Sequence, residues 1–156
     1  LLAGMLSSAT LINRFFPTGQ VYKEFYESSE NLFDLLQFPD IWTLGYFKWE
    51  LEFLETLGFG LDLEKCAVTG STEDLKFISP KSGRAVSKAA AGDWSAKLLP
   101  FPIAASGQVN SLEDISDGLK VSQFFLEKKV LVAFGMEHLP SARSRFISAL
   151  ERKIKN

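Results

Sequence analysis

At 156 residues the chain has room for one domain with a real core, and with 46% hydrophobic and 13% aromatic residues it carries too much apolar material to stay disordered. A formal net charge of −2 excludes a global electrostatic pull towards nucleic acid. One cysteine excludes an internal disulfide framework and suits a reducing compartment.

The opening LLAGMLSSATLI is apolar for 12 residues, too short to span a bilayer, and no basic segment precedes it. Neither a signal peptide nor a membrane partner is expected. A chain that starts with Leu is expected to be cut, or part of a longer protein. Residues 2–16 read as a first helix that stops at the Pro17-Thr18-Gly19 breaker. Residues 21–36 read as a second, with Tyr22, Phe25, Leu32 and Leu36 among its periodic apolar positions. Asp40 is the expected N-cap of a third, over residues 42–57. There Trp42, Tyr46, Trp49, Phe53 and Leu57 form one stripe, and Leu44, Phe47, Leu51 and Leu54 another on the nearly opposite side. Lys48, Glu52 and Glu55 share the narrow polar strip that remains. A helix apolar on most of its circumference belongs in the middle of a bundle, and the glycines of Gly58-Phe59-Gly60 end it.

The character then changes. LKFIS and RAVS are strand-like and PKSG between them has turn chemistry, which predicts a small hairpin. LLPFP is an extended connector and residues 105–111 a loop. Helical periodicity returns at Leu112, with a break expected near Asp117-Gly118, and resumes over residues 119–134. A last amphipathic helix is expected over residues 141–154, with Phe146, Ile147, Leu150 and Ile154 inward. The fold class is therefore mainly α, a helical bundle with a small inserted β-hairpin subdomain. Residues 1–61 and 99–156 form the two parts of the bundle and residues 62–98 the insertion.

Catalytic chemistry has little support. Cys66 and His138 are the only cysteine and histidine, more than 70 residues apart, and no Gly-x-Ser-x-Gly elbow, phosphate loop or paired acid–base carboxylates stand out. No catalytic residue, cofactor or metal is expected. The insertion nevertheless has the spacing of a four-cysteine zinc knuckle. Cys66 and Thr69 stand at C-x2-C spacing, and Ser87 and Ala90 repeat it 18 positions later. Thr, Ser and Ala supply no zinc ligand.

These segments resemble the RecO family of bacterial recombination mediators. The match runs through WELEFLETLGFGLDLEKCAVTG, FISPKSGRAVS, LLPFP, SLEDISDGLKVSQFFLEKKV and LPSARSRFISAL, and the pairing of CAVTG with SGRAVS is similar to the zinc-less versions of alphaproteobacteria. The resemblance implies a degenerate knuckle held by packing of Leu75, Phe77, Ile78, Val86 and Trp94, each worth about 1.5–3 kcal/mol if buried. It also implies that an N-terminal nucleic-acid-binding OB-fold domain is absent from this stretch.

For function, the resemblance implies a cytoplasmic, nucleoid-associated, non-catalytic module of DNA repair and recombination. Its implied partners are the acidic C-terminal tail of single-stranded DNA-binding protein, RecR and, indirectly, RecA. Single-stranded DNA would be bound mainly through the missing domain, and any residual affinity would come from the basic last helix. A tail pocket needs an apolar hole and a cation for the terminal carboxylate. The expected site is a groove edged by Lys48 and Arg143 and floored by Leu51, Leu54 and Phe146. Charge reversal at Arg143 is then expected to weaken tail binding and leave stability nearly unchanged. The alternatives are that Lys48 pairs with Glu52 while Arg143 is merely solvated, and that the chain is a helical scaffold or adaptor with no nucleic-acid role.

Overall fold

The computed structural model describes residues 1–108 and 111–156, so part of the loop expected over 105–111 lies outside the described residues. The architecture is mainly α with a small β insert. Helix α1 (Leu2–Phe15) buries Gly4, Ser7, Ser8, Leu11 and Phe15 and packs along α7 (Ser141–Lys155). Small residues at Gly4, Ser7 and Ser8 allow a close approach: a Cβ on Gly4 would stand 2.2 Å from the Trp42 ring. Helix α2 (Lys23–Asp34) presents Phe25, Ser29 and Leu32, spaced four and three apart, to the core.

Helix α3 (Pro39–Thr56) is the middle of the bundle, and among the described residues it supplies six of the twelve largest fully buried side chains. It begins earlier than the sequence suggests. Pro39 sits in its first turn, where a fixed φ and a missing N–H cost nothing, so Asp40 lies inside the helix instead of capping it. The Trp42 indole N–H donates to the Leu32 carbonyl and that of Trp49 to Ser29 Oγ, both at 3.0 Å, so neither buried ring leaves a polar group unpaired. At the other end Gly58 takes φ +90° and Phe59 N–H closes back to the Leu54 carbonyl at 2.8 Å.

Strands β1 (Leu75–Ile78) and β2 (Ala85–Ser87) form the expected hairpin, antiparallel, with an irregularity in register between Leu75 and Phe77. The LLPFP connector, extended as expected, contributes a third strand, β3 (Leu99–Pro100), antiparallel to β1. Strand order is β2-β1-β3. Ser87 caps the short α4 (Lys88–Ala91), its Oγ accepting from Ala90 N–H.

Helix α5 (Leu112–Phe125) opens on a Ser111–Asp114 capping box and runs without a break through Asp117-Gly118. Gly118 does not punctuate the helix. It makes room for a neighbour, since a Cβ there would stand 2.7 Å from the Phe47 ring. Residues Leu126–Val130 then widen into a π-turn before α6 (Leu131–Phe134), which ends at Gly135 with φ +63°. No helix among the described residues is long and apolar enough to cross a membrane.

The main core is aromatic, with Tyr46 and Phe146 rings 4.5 Å apart and Phe15 edge-on to Phe53 at 5.8 Å. A second, much smaller core of Cys66, Val86 and Ala91 belongs to the insert, with Leu75 and Phe77 packed against it. Two of the packing residues expected there behave otherwise. Ile78 is fully buried but points into the main core, and Trp94 is 65% exposed, with only the Lys97 ammonium over its ring.

Candidate functional site

Arg143 and Glu50 dominate the interior. Arg143, on the first turn of α7, is 1% exposed, and Glu50, in the middle of α3, is 0% exposed. Arg143 Nε donates to Glu50 Oε2 at 2.9 Å and Nη2 to Oε1 at 2.6 Å, a bidentate ion pair between residues 93 apart in sequence. The remaining acceptor capacity of the carboxylate is also taken: Tyr46 Oη donates to Oε2 at 3.1 Å and Ser122 Oγ donates to Oε1. Ser7 Oγ lies 2.7 Å from Tyr46 Oη, which brings α1 into the same network. Burial first, then the neighbouring Glu50 carboxylate, hold the Tyr46 hydroxyl well above its usual range, so it stays a neutral donor. For Arg143 burial works against the charge, but Glu50 outweighs it and the shift is upward. The network ties α1, α3, α5 and α7 together at one point.

The groove expected from the sequence does not form. Arg143 is an interior ion-pair partner, not a rim cation. Phe146 is packed edge-on against Trp42 and tilted against Tyr46, and Leu54 is fully buried, so neither can floor an open groove. Lys48 is exposed and Leu51 half-buried, and the structure brings neither to Arg143. With Arg143 inside, the basic face of α7 reduces to Arg145, Arg152, Lys153 and Lys155, all exposed. Charge reversal at Arg143 would place two carboxylates face to face in the core, so the expectation of unchanged stability is also overturned. Glu50 is the residue that sequence reasoning missed. An acid four residues after Tyr46 and next to Trp49 lies inside the apolar stripe, and a buried carboxylate there requires a cation.

Arg143, though enclosed, lies at the floor of an open cleft of about 700 Å³ between the π-turn, the α6–α7 connection and the start of α7. Leu131, Val132, Met136 and Leu139 contribute its apolar part, and Glu127, Lys128, Glu137, His138 and two serines make most of the remaining lining polar. Nη1 of Arg143 uses one N–H on Gln123 Oε1 at 3.0 Å, and its second N–H has no protein acceptor among the described residues. Glu127 accepts from Gln123 Nε2 at 2.9 Å, which draws that carboxylate to the protein. His138 is exposed in this connection, whereas Cys66 is enclosed in the insert core, so the structure does not bring them together as nucleophile and base.

The four positions with zinc-knuckle spacing do converge, through hydrogen bonds. Ser87 N–H donates to Cys66 Sγ at 3.3 Å, and Ser87 Oγ accepts from Ala90 N–H at 3.3 Å. Burial pushes the Cys66 thiol up, but donors from Thr69 and Ser87 outweigh it and bring it from 9.0 down to about 6. Among the described residues no group of three or more His, Cys, Asp or Glu side chains could hold a metal ion.

A helical bundle fastened by a buried ion pair and carrying a small three-stranded insert defines the class of protein, a mainly α bundle with an open cleft on its surface. The family model described as recombination protein O, C-terminal, matches residues 1–135, and the chain belongs to this family. It is 46% identical over 155 residues to DNA repair protein RecO of a Ruegeria species, covering 98% of this chain and 64% of that protein. Identity is 42% over 153 residues to the protein of the same name from a Jannaschia species, covering 98% and 62%, and 43% over 148 residues to that of Dinoroseobacter shibae, covering 94% and 61%. The chain thus spans less than two thirds of the length of these relatives. No solved structure matches it.

Proposed function

We propose that this chain is the helical module of a recombination mediator in DNA repair, without catalysis of its own, and that it receives the acidic C-terminal tail of single-stranded DNA-binding protein in the cleft over Arg143. The reading extends to RecR as a docking partner and to strand annealing and RecA loading as outcomes. Most contact with the strand would fall to the third of the relatives' length that this chain does not span. Such a protein works in the cytoplasm, at the nucleoid.

One observation carries the tail site: a buried guanidinium with an unspent N–H lies beneath a cleft of mixed polar and apolar lining. Glu50 already balances the Arg143 charge, so Arg143 offers one directional donor and no net attraction. Lys128 supplies the attraction, and Val132, Met136 and Leu139 receive an apolar side chain. Calorimetric titration with an acidic peptide ending in Phe tests this. Lys128→Glu and Val132→Asp, both at exposed positions, should each weaken binding by about 5–30-fold, and an amidated peptide C-terminus should do the same. Lys48→Glu should change nothing. Parent-like affinity in both cleft variants would overturn the reading.

A further inference from the structure

A second, smaller cleft lies where the insert meets the bundle. We propose that it clamps a backbone phosphate of a single-stranded nucleic acid between Lys81 and Lys129, an assignment that rests on the DNA-repair reading above. The cleft holds about 220 Å³ and is built from residues 58–60 after α3, residues 81–83 of the β1–β2 turn, and Phe125 with Lys129 from the α5 end and π-turn. Three separate segments therefore converge on it, and two of them bring a glycine with positive φ: Gly58 at +90° and Gly83 at +70°. At Gly58, where a Cβ would meet nothing within 4 Å, backbone without a side chain lets a bulky anion approach closely, whereas the same face of Gly83 is filled by Leu61.

The lysines are the chemical core of the site. Lys129 Nζ donates to the Lys81 carbonyl at 3.2 Å, which holds the ammonium across the cleft and leaves its other two N–H groups free. Neither lysine has a carboxylate within ion-pair distance among the described residues. The acids that might have neutralised them are directed elsewhere: Glu127 accepts from Gln123, and Asp62 faces Arg84 at 3.6 Å. Ser82 adds a hydroxyl at the mouth. The π-turn matters here, because it sets Lys128 into the cleft over Arg143 and its neighbour Lys129 into this one. Wide turns of this kind recur at functional sites.

Size selects the ligand. Pockets that enclose whole small molecules run to about 300–1,000 Å³, so this cleft takes a phosphate and part of a sugar but not an entire nucleotide. Phe125 is buried and Phe59 half-buried, so neither offers an open face for stacking a base. The bases would point outward and binding would be independent of sequence, with affinity set by phosphate neutralisation.

Fluorescence anisotropy of a labelled oligothymidylate across a salt series tests the assignment on the full chain. The Lys81→Gln/Lys129→Gln variant should lose about 5–30-fold in affinity at low salt and flatten the log–log salt slope by about 0.7 per lost phosphate contact. The same variant should bind the acidic tail peptide as the parent does, and a Lys153→Gln/Lys155→Gln control should keep its strand affinity. Should the double variant fold poorly, Lys81→Gln alone, at an exposed turn, carries the same expectation at reduced size. Parent-like affinity and slope in the lysine variants, or no strand binding by the parent at low salt, would overturn the proposal. Displacement of the strand by inorganic phosphate at matched ionic strength would overturn it in favour of a free anion. Loss of peptide binding in the cleft variants alone would bear on the tail site and leave this one standing.

Discussion

The bundle and the insert solve the same problem, holding chain segments distant in sequence together, by opposite means. The bundle uses mass: Trp42, Tyr46, Phe47, Trp49 and Phe53 on one helix, packed on all sides and fastened by Arg143 to Glu50. The insert has a core of Cys66, Val86 and Ala91 and relies on directional bonds, with Ser87 linking Cys66 to Ala90 where a metal would link four ligands. A large core makes each buried group expensive to disturb. A small one confines the cost of any change to its own neighbourhood.

The largest expected effect lies in the bundle fastening. Removing one partner of a buried ion pair leaves an uncompensated charge, so Arg143→Met should destabilise by about 3–5 kcal/mol in urea unfolding. Pairing it with Glu50→Gln should restore much of that loss, because no charge is then left in the core. A single variant that melts like the parent would mean that the pair does not fasten the bundle.

Tryptophan offers a matched pair across the two regions. Trp49, 1% exposed and bonded to Ser29, should cost about 3–5 kcal/mol on replacement by Ala. Trp94, 65% exposed, should cost within about 0.5 kcal/mol under the same change. Thermal melting of both variants reads the difference directly, and equal losses would erase the distinction drawn between the regions.

The stripes of residues 42–57 made the central helix legible, because large apolar residues recurring at helical spacing on two sides mark a helix enclosed by its neighbours. Zinc-like spacing made the convergence of Cys66, Thr69, Ser87 and Ala90 legible in the same way. The site was not. Arg143 and Phe146, three apart, do share a face of α7, but that face points inward, and nothing local to SARSRF says so. What decides it is Glu50, 93 positions away, a carboxylate inside an apolar stripe that requires a buried cation. Gly118 misled for a related reason: glycine within a helix reads as a breaker until the Phe47 ring it accommodates is in view.

The smallest expected effect tests whether hydrogen bonds hold the insert as described. The Cys66 thiol is brought from 9.0 to about 6 in the fold. A folded value below the unfolded one means that the thiolate is favoured by folding. Its contribution is complete above about pH 9, declines as the pH falls, and is gone below about pH 6. Near neutrality about 1 kcal/mol of it remains, since only about one pH unit then separates the solution from the folded value. Hydrogen exchange is the suitable probe, because the Ser87 amide donates to Cys66 Sγ and should be protected only while that bond holds. After correction for intrinsic exchange, Ser87 protection should fall as the pH is lowered from about 8 to about 5, while amides of α3 keep theirs. Cys66→Ser should make Ser87 protection independent of pH over that range. Equal pH dependence in parent and variant would show that the sulfur does not hold the turn, and that the small core of Val86 and Ala91 suffices by packing alone.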